Sequence, residues 1–316
     1  MENSQHLFRT MGTEAYLEIV HDPRSAEHAK ESIAKAVNLC FEKVKIFNRF
    51  DPESEISILN QNLGTYRTAS PDLLAVTRHS LEFFRESKGL FDPRVIGILK
   101  KIGYHEDFES WRTVRRVLPE IHGLLSQHRP LSFDLKVRDE FVFLRQQMDF
   151  SGIAKGYILD RMANSIMSDG WDNFLIDAGG DIVARGVNRD GRTWRISVEN
   201  VPESEFVASL SSQAIATSGV TRRHWKSVDG TRFHHLVNPK HPQRFDFDIL
   251  SASVVAENAE RADFLAKTLF LMGVDDGLQY AEKHGIPALF VNEDRKISRS
   301  SLFTSEKEKI NKSTTL

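Results

Sequence analysis

Apolar and polar positions divide the chain into segments of two distinct periods. Residues 14–20, EAYLEIV, place Ala15, Leu17 and Ile19 on one face at period two, which predicts a strand ending at the Asp22-Pro23 turn. From Ala26 the period changes. Ala26, Ala29, Ile33, Val37, Cys40, Val44 and Phe47 step by three and four, the stripe of a long amphipathic helix. A second helix is expected after Ser70-Pro71, with Ser70 as N-cap and Pro71 at the first helical position. Residues 154–169 and 259–272 read as two more, closed by Gly170 and Gly273. Between them run short strand-like segments: Phe174–Ile176, Ile182–Ala184, Trp194–Val198, Phe206–Ile215, Phe233–Val237, Leu250–Val255 and Ala288–Val291. Turns are expected at Asn188–Gly191 and Val228–Gly230. Strands in runs with helices interspersed favour an α+β fold over a regular βαβ repeat. No repeat or linker divides the chain, and a polar, lysine-rich tail follows residue 301, where disorder is expected.

Composition narrows the function classes. A net charge of -2 over 316 residues supplies no global positive field for nucleic acid or an anionic membrane. No stretch approaches the roughly 20 apolar residues of a membrane span, and no basic segment leads into an apolar run at the N-terminus. The single cysteine, Cys40, excludes an internal disulfide and reads as a core residue of the first helix. These features lead to the expectation of a cytoplasmic protein.

Five segments could carry chemistry. In MDFSGIAKGYILD (148–160), Ala154-Lys155-Gly156 opens a helix whose free N–H groups can hold an anion. A lysine in that first turn opposes the helix dipole unless a negative group sits beside it. In IDAGGDIVARG (176–186), Gly179 and Gly180 permit positive φ and close backbone approach, flanked by Asp177 and Asp181; a plain hairpin turn is the alternative. A strand ends in Thr217-Ser218-Gly219, followed by Arg222, Arg223 and His224, a basic cluster suited to an anion. In FHHLVNP (233–239) alternation sends His234 and His235 to opposite faces, so one of them can enter a given pocket as a general base. The pair lacks zinc-site spacing. Finally, Asp263 and Lys267 share a helical face, as an exposed salt bridge or as groups facing a pocket.

Taken in order, these segments resemble the ApbE family of FAD:protein FMN transferases. The likeness runs through FRTMGT (8–13), FDPESEISILN (50–60), GLFDPRVIG (89–97), MDFSGIAKGYILD, DAGGDI (177–182), ATSG (216–219), HLVNP (235–239) and the Ala262-Asp263 helix. It implies a single α+β domain over residues 1–301, with mixed, mainly antiparallel sheets, packed helices and a central FAD cleft. It further implies a magnesium-dependent transfer of FMN from FAD to a threonine or serine hydroxyl of an acceptor flavoprotein, with release of AMP. By position, Met11, Phe50, Leu90, Phe91, Asp92, Asp149, Lys155 and Val237 match FAD contacts, joined by Gly179, Gly180, Asp181, Thr217 and Ser218 from the residue reading. His235 matches the base for the acceptor hydroxyl, with Lys155 beside the phosphates. A backbone oxygen near Gly152 and the Asp263 carboxylate match the magnesium ligands. Where the family usually adds a threonine, this chain has Lys267, with Thr268 one step late and roughly 100° away around the helix. An FAD-binding relative without transferase activity, serving flavin storage, delivery or slow FAD hydrolysis, is the alternative implied by that departure.

Overall fold

The computed structural model describes residues 1–104, 129–202, 207–227, 230–245 and 248–304. Its backbone is an eight-stranded sheet whose spatial order is also its chain order: Glu2–Thr10, Thr13–His21, Phe174–Ala178, Asp181–Arg185, Gln213–Gly219, Ile249–Ala256, Ala288–Asn292 and Ile297–Arg299. Every neighbouring pair is antiparallel. Everything else arrives as insertions between adjacent strands.

Alternation along the strands sends successive side chains to opposite faces. Leu17, Ile19, Phe174, Ile176, Ala216, Val254 and Phe290 point to one face and pack under the helices Ala26–Phe47, Ser151–Ser168 and Ala259–Met272. Leu175, Ile182, Ile215, Val255, Leu289 and Val291 point to the other, where the hairpin of Trp194–Ser197 and Val207–Leu210 covers them. The α+β expectation holds, as a three-layer arrangement of helices, sheet and hairpin. Phe303 is 1% exposed in the hairpin-side core, so packing extends past residue 301. The expected tail from residue 305 onward lies outside the described residues.

The Ala26–Phe47 helix forms where the apolar stripe predicts it, and Cys40 is fully buried in that stripe. Ser70 caps the Pro71–Glu86 helix by accepting from Leu73 N at 3.2 Å. The Ser151–Ser168 helix begins three residues before the expected start, because Asp149 Oδ1 accepts from Ser151 N at 2.8 Å. This helix crosses the start of Ala259–Met272 at Gly156, where a methyl group would lie 2.5 Å from the Ala259 carbonyl oxygen. Asp160 fixes the crossing by accepting from Ala259 N and Glu260 N at 2.8 and 2.9 Å. Burial pushes its carboxyl up to about 6.

Two strand expectations change. The Phe206–Ile215 run divides into Val207–Leu210 and Gln213–Gly219, strands of different sheets, with Ser212 at φ 62 in the turn between them; Phe206 lies outside the described residues. The Phe233–Val237 run forms a strand over Arg232–His234 alone. His235 is therefore a loop residue. Among the described residues no helix is long and apolar enough to cross a membrane.

Candidate active site

A cavity of about 370 Å³ opens where the insertions converge on one end of the sheet. Its walls are the start of the Ser151–Ser168 helix, the Gly179-Gly180 turn, the end of Gln213–Gly219, the His235–Val237 loop, one face of Ala259–Met272 and the Leu90–Pro93 loop. Segments distant in sequence thus contribute Leu90, Phe91, Asp92, Asp149, Gly152, Lys155, Gly179, Asp181, Thr217, Ser218, His235, Val237, Asp263 and Lys267 to one space, whereas Gly180 lines a neighbouring one.

Lys155 is placed differently from the sequence reading. With the helix starting at Ser151, it stands in the second turn, and its Nζ lies 2.5 Å from Asp181 Oδ2. The anion that balances this lysine is therefore part of the chain. Asp181 is 2% exposed and also accepts from Thr217 N at 3.3 Å, so the glycine turn, the lysine and the Thr217 strand are bound to one carboxylate. Gly179 and Gly180 both have positive φ, 66 and 94. A side chain at Gly179 would collide with Thr13, so the turn must be glycine to press against the first hairpin.

Each acidic side chain lining the cavity has a basic partner. Asp92 pairs with Arg94 at 2.7 Å, Asp149 with Arg49 at 3.0 Å, Asp181 with Lys155, Glu199 with Arg222 at 3.3 Å, and Asp263 with Lys267 at 3.6 Å. Arg94 is shared with buried Asp134 at 2.8 Å. Asp92 and Asp149 thus shape the wall through internal pairs. Arg223 reaches Met11 O at 3.4 Å and stands on the border of a second cavity.

That second space, about 230 Å³, shares Gly12, Ser151, Lys155 and Arg223 with the first. It receives Met11 and Phe50, which do not line the larger cavity, together with Phe47, Tyr104 and Arg49. The Arg49 guanidinium lies 4.1 Å from the Phe50 ring centroid and 4.7 Å from that of Tyr104. Arg49 was not foreseeable from spacing, because its carboxylate partner Asp149 stands 100 positions away.

His234 and His235 do point to opposite sides. His234 is buried against Phe245 and Phe270, whereas His235 lines the cavity. Because a carbonyl only accepts, His235 Nδ1 donates to Arg223 O at 3.4 Å, which leaves Nε2 as the acceptor nitrogen of a neutral ring. Burial, then the charges of Arg223 and Lys267 and the neighbouring His234, hold this imidazole well below its ordinary pKa.

A profile of the ApbE family matches residues 11–290. The chain belongs to the ApbE family. Among curated ApbE-type relatives, the FAD:protein FMN transferase of Vibrio cholerae is 26% identical over 89% of this chain and 85% of its own. That of Haemophilus influenzae is also 26% identical, over 90% and 84%. The solved flavin transferase ApbE from Vibrio cholerae superposes with a TM-score of 0.81 at 27% identity, covering 96% of this chain and 98% of that one.

The residues present do not fit the magnesium that the ApbE resemblance implies. Lys267 Nζ donates to Gly152 O at 2.5 Å and faces Asp263 Oδ1, so an ammonium stands between the two oxygens expected to hold the ion. Thr268 is 1% exposed, absent from the cavity wall, and its Oγ1 is buried without a partner. Among the described residues no group of three or more His, Cys, Asp or Glu is arranged to hold a metal.

Proposed function

We propose that this chain is an FAD:protein FMN transferase that moves the FMN half of FAD onto a serine or threonine hydroxyl of an acceptor flavoprotein. The observation that carries this reading is His235, its Nδ1 turned to Arg223 O, in a cavity also lined by Lys155, Arg223 and Lys267. An extended dinucleotide suits two joined cavities with basic residues at their border: rings enter the aromatic-walled and the larger spaces, and the pyrophosphate lies against the cations.

The chemistry follows from those groups. The acceptor Oγ attacks the FMN-side phosphorus, an O–P bond forms, and the P–O bond to the AMP phosphate breaks. His235 Nε2 takes the hydroxyl proton, which a neutral ring can accept, and the leaving phosphate departs as AMP. Lys155 and Arg223 offset the charge that accumulates on the phosphoryl oxygens. No step passes through a metal.

The test incubates the full chain with FAD and candidate acceptor flavoproteins and follows acceptor mass. An increase equal to FMN, on a serine or threonine, is expected. The position of Lys267 favours a second reading, an FAD-binding relative without transfer. Tight FAD binding with no adduct on any acceptor would support that reading and overturn the first.

A further inference from the structure

The seat that Lys267 occupies is built for an ammonium. Its Nζ contacts Gly152 O at 2.5 Å and lies 3.6 Å from Asp263 Oδ1. A methyl group on Gly152 would come within 2.9 Å of that nitrogen and 3.3 Å of the Phe91 ring, so the lysine tip packs directly against the bare backbone there. An ammonium has three N–H donors. One goes to the Gly152 carbonyl and one faces the Asp263 carboxylate, which leaves one for a ligand in the cavity that Lys267 lines.

The surroundings leave little for a second cation to bind. Asp263 is 7% exposed, and its charge is already opposed by Lys267; Asp181, the nearby carboxylate, is taken by Lys155 at 2.5 Å. Thr268, the one hydroxyl next along the helix, has its Oγ1 buried and does not line the cavity. A divalent ion entering here would have to expel the ammonium from both oxygens and would set two cations against one carboxylate, which is costly.

We propose that Lys267 is a tethered cation that takes the place of a metal ion, holding the pyrophosphate of FAD so that this chain binds FAD without Mg²⁺. The proposal rests on the reading of the chain as an FAD-using enzyme. A fixed ammonium carries one charge where magnesium carries two, so it stabilises the diphosphate less, but it does not dissociate. Lys267 here is a binding residue contributed by the chain in the place of an exchangeable ion.

The test measures FAD affinity by flavin fluorescence quenching, with EDTA and with Mg²⁺, and Mn²⁺ binding by electron paramagnetic resonance in the presence of FAD. The wild-type chain is expected to bind FAD within about twofold equally in both buffers and to immobilise no Mn²⁺. Lys267→Thr is expected to lose about tenfold to a hundredfold in FAD affinity in EDTA, to recover in Mg²⁺, and to bind Mn²⁺. Wild-type affinity that falls tenfold or more in EDTA, or Mn²⁺ held by the wild type, overturns the proposal. So does a folded Lys267→Thr variant that keeps wild-type affinity in EDTA. If that variant does not melt cooperatively, the two wild-type measurements decide. A wild-type chain that binds no FAD in either buffer sinks the functional reading as well, whereas metal-dependent FAD binding sinks this inference alone.

Discussion

The two faces of the central sheet are built from the same strands, yet they carry different burdens. On the hairpin face, Trp194, Ile196, Ala208 and Leu210 close over Ile182, Ile215 and Leu289. On the helical face the packing is equally apolar, but the helix starts, the glycine turn and the His235 loop meet at one end and bring paired charges together there. The difference lies in what the insertions deliver. A hairpin satisfies its own backbone, whereas helix starts and strand ends expose N–H groups and side chains that can converge on a ligand.

The largest expected effect lies at His235. His235→Ala is expected to lower the transfer rate about 10²- to 10⁴-fold while FAD affinity stays near wild type, as seen by acceptor mass and fluorescence quenching. Equal loss of both would make His235 a binding residue. On the other face, Trp194 is 6% exposed and its indole donates to Arg185 O at 2.9 Å, at the opposite end of the Asp181–Arg185 strand from the glycine turn. Trp194→Ala is expected to cost about 3–5 kcal/mol in denaturant unfolding and to leave FAD affinity unchanged in the folded fraction. A matching loss of affinity would show that the faces are coupled.

The smallest effect is a pH dependence belonging to the helical face. His79 on Pro71–Glu86 meets Glu260 on Ala259–Met272 at 2.9 Å, and that hydrogen bond holds its pKa above the ordinary 6.5 despite partial burial. A raised histidine pKa contributes stability that is complete below 6.5 and lost as pH rises through the folded value. His79→Gln is therefore expected to flatten the decline in unfolding midpoint above that pH, while Trp194→Ala leaves its shape alone. A decline of unchanged slope in His79→Gln would remove this pair as its cause.

What could be read from the sequence follows physical rules. The Ala26–Phe47 and Ala259–Met272 helices were legible because a continuous apolar stripe has one period. The Glu2–Thr10 strand was not, since it lies on the sheet edge with Leu7 69% exposed and no alternation. The helix Glu55–Gln61 and the small sheet of Tyr66–Thr68, Leu135–Arg138 and Phe141–Leu144 are too short to impose a period. At the site, ordered motifs located the cavity wall, but pairings across the chain were hidden. Lys155 read as a lysine waiting for a ligand because Asp181, its partner, joins it only through the fold. The Asp263–Lys267 pair was visible at four-residue spacing, and the structure decides between surface and pocket by burying it.

Because the sheet order repeats the chain order, one joint of the large sheet spans far more chain than any other. Thr13–His21 pairs with Phe174–Ala178, with Ile19 opposite Phe174, so the first hairpin must wait for most of the helical insertion before it finds its neighbour. Closing so long a loop adds little to the equilibrium cost, which grows only with the logarithm of length. During synthesis, however, it sets a sequence of events. The first hairpin is made well before the strand it docks on, and the cavity, whose wall includes Asp263 and Lys267, is complete only after the Ala259–Met272 helix is made.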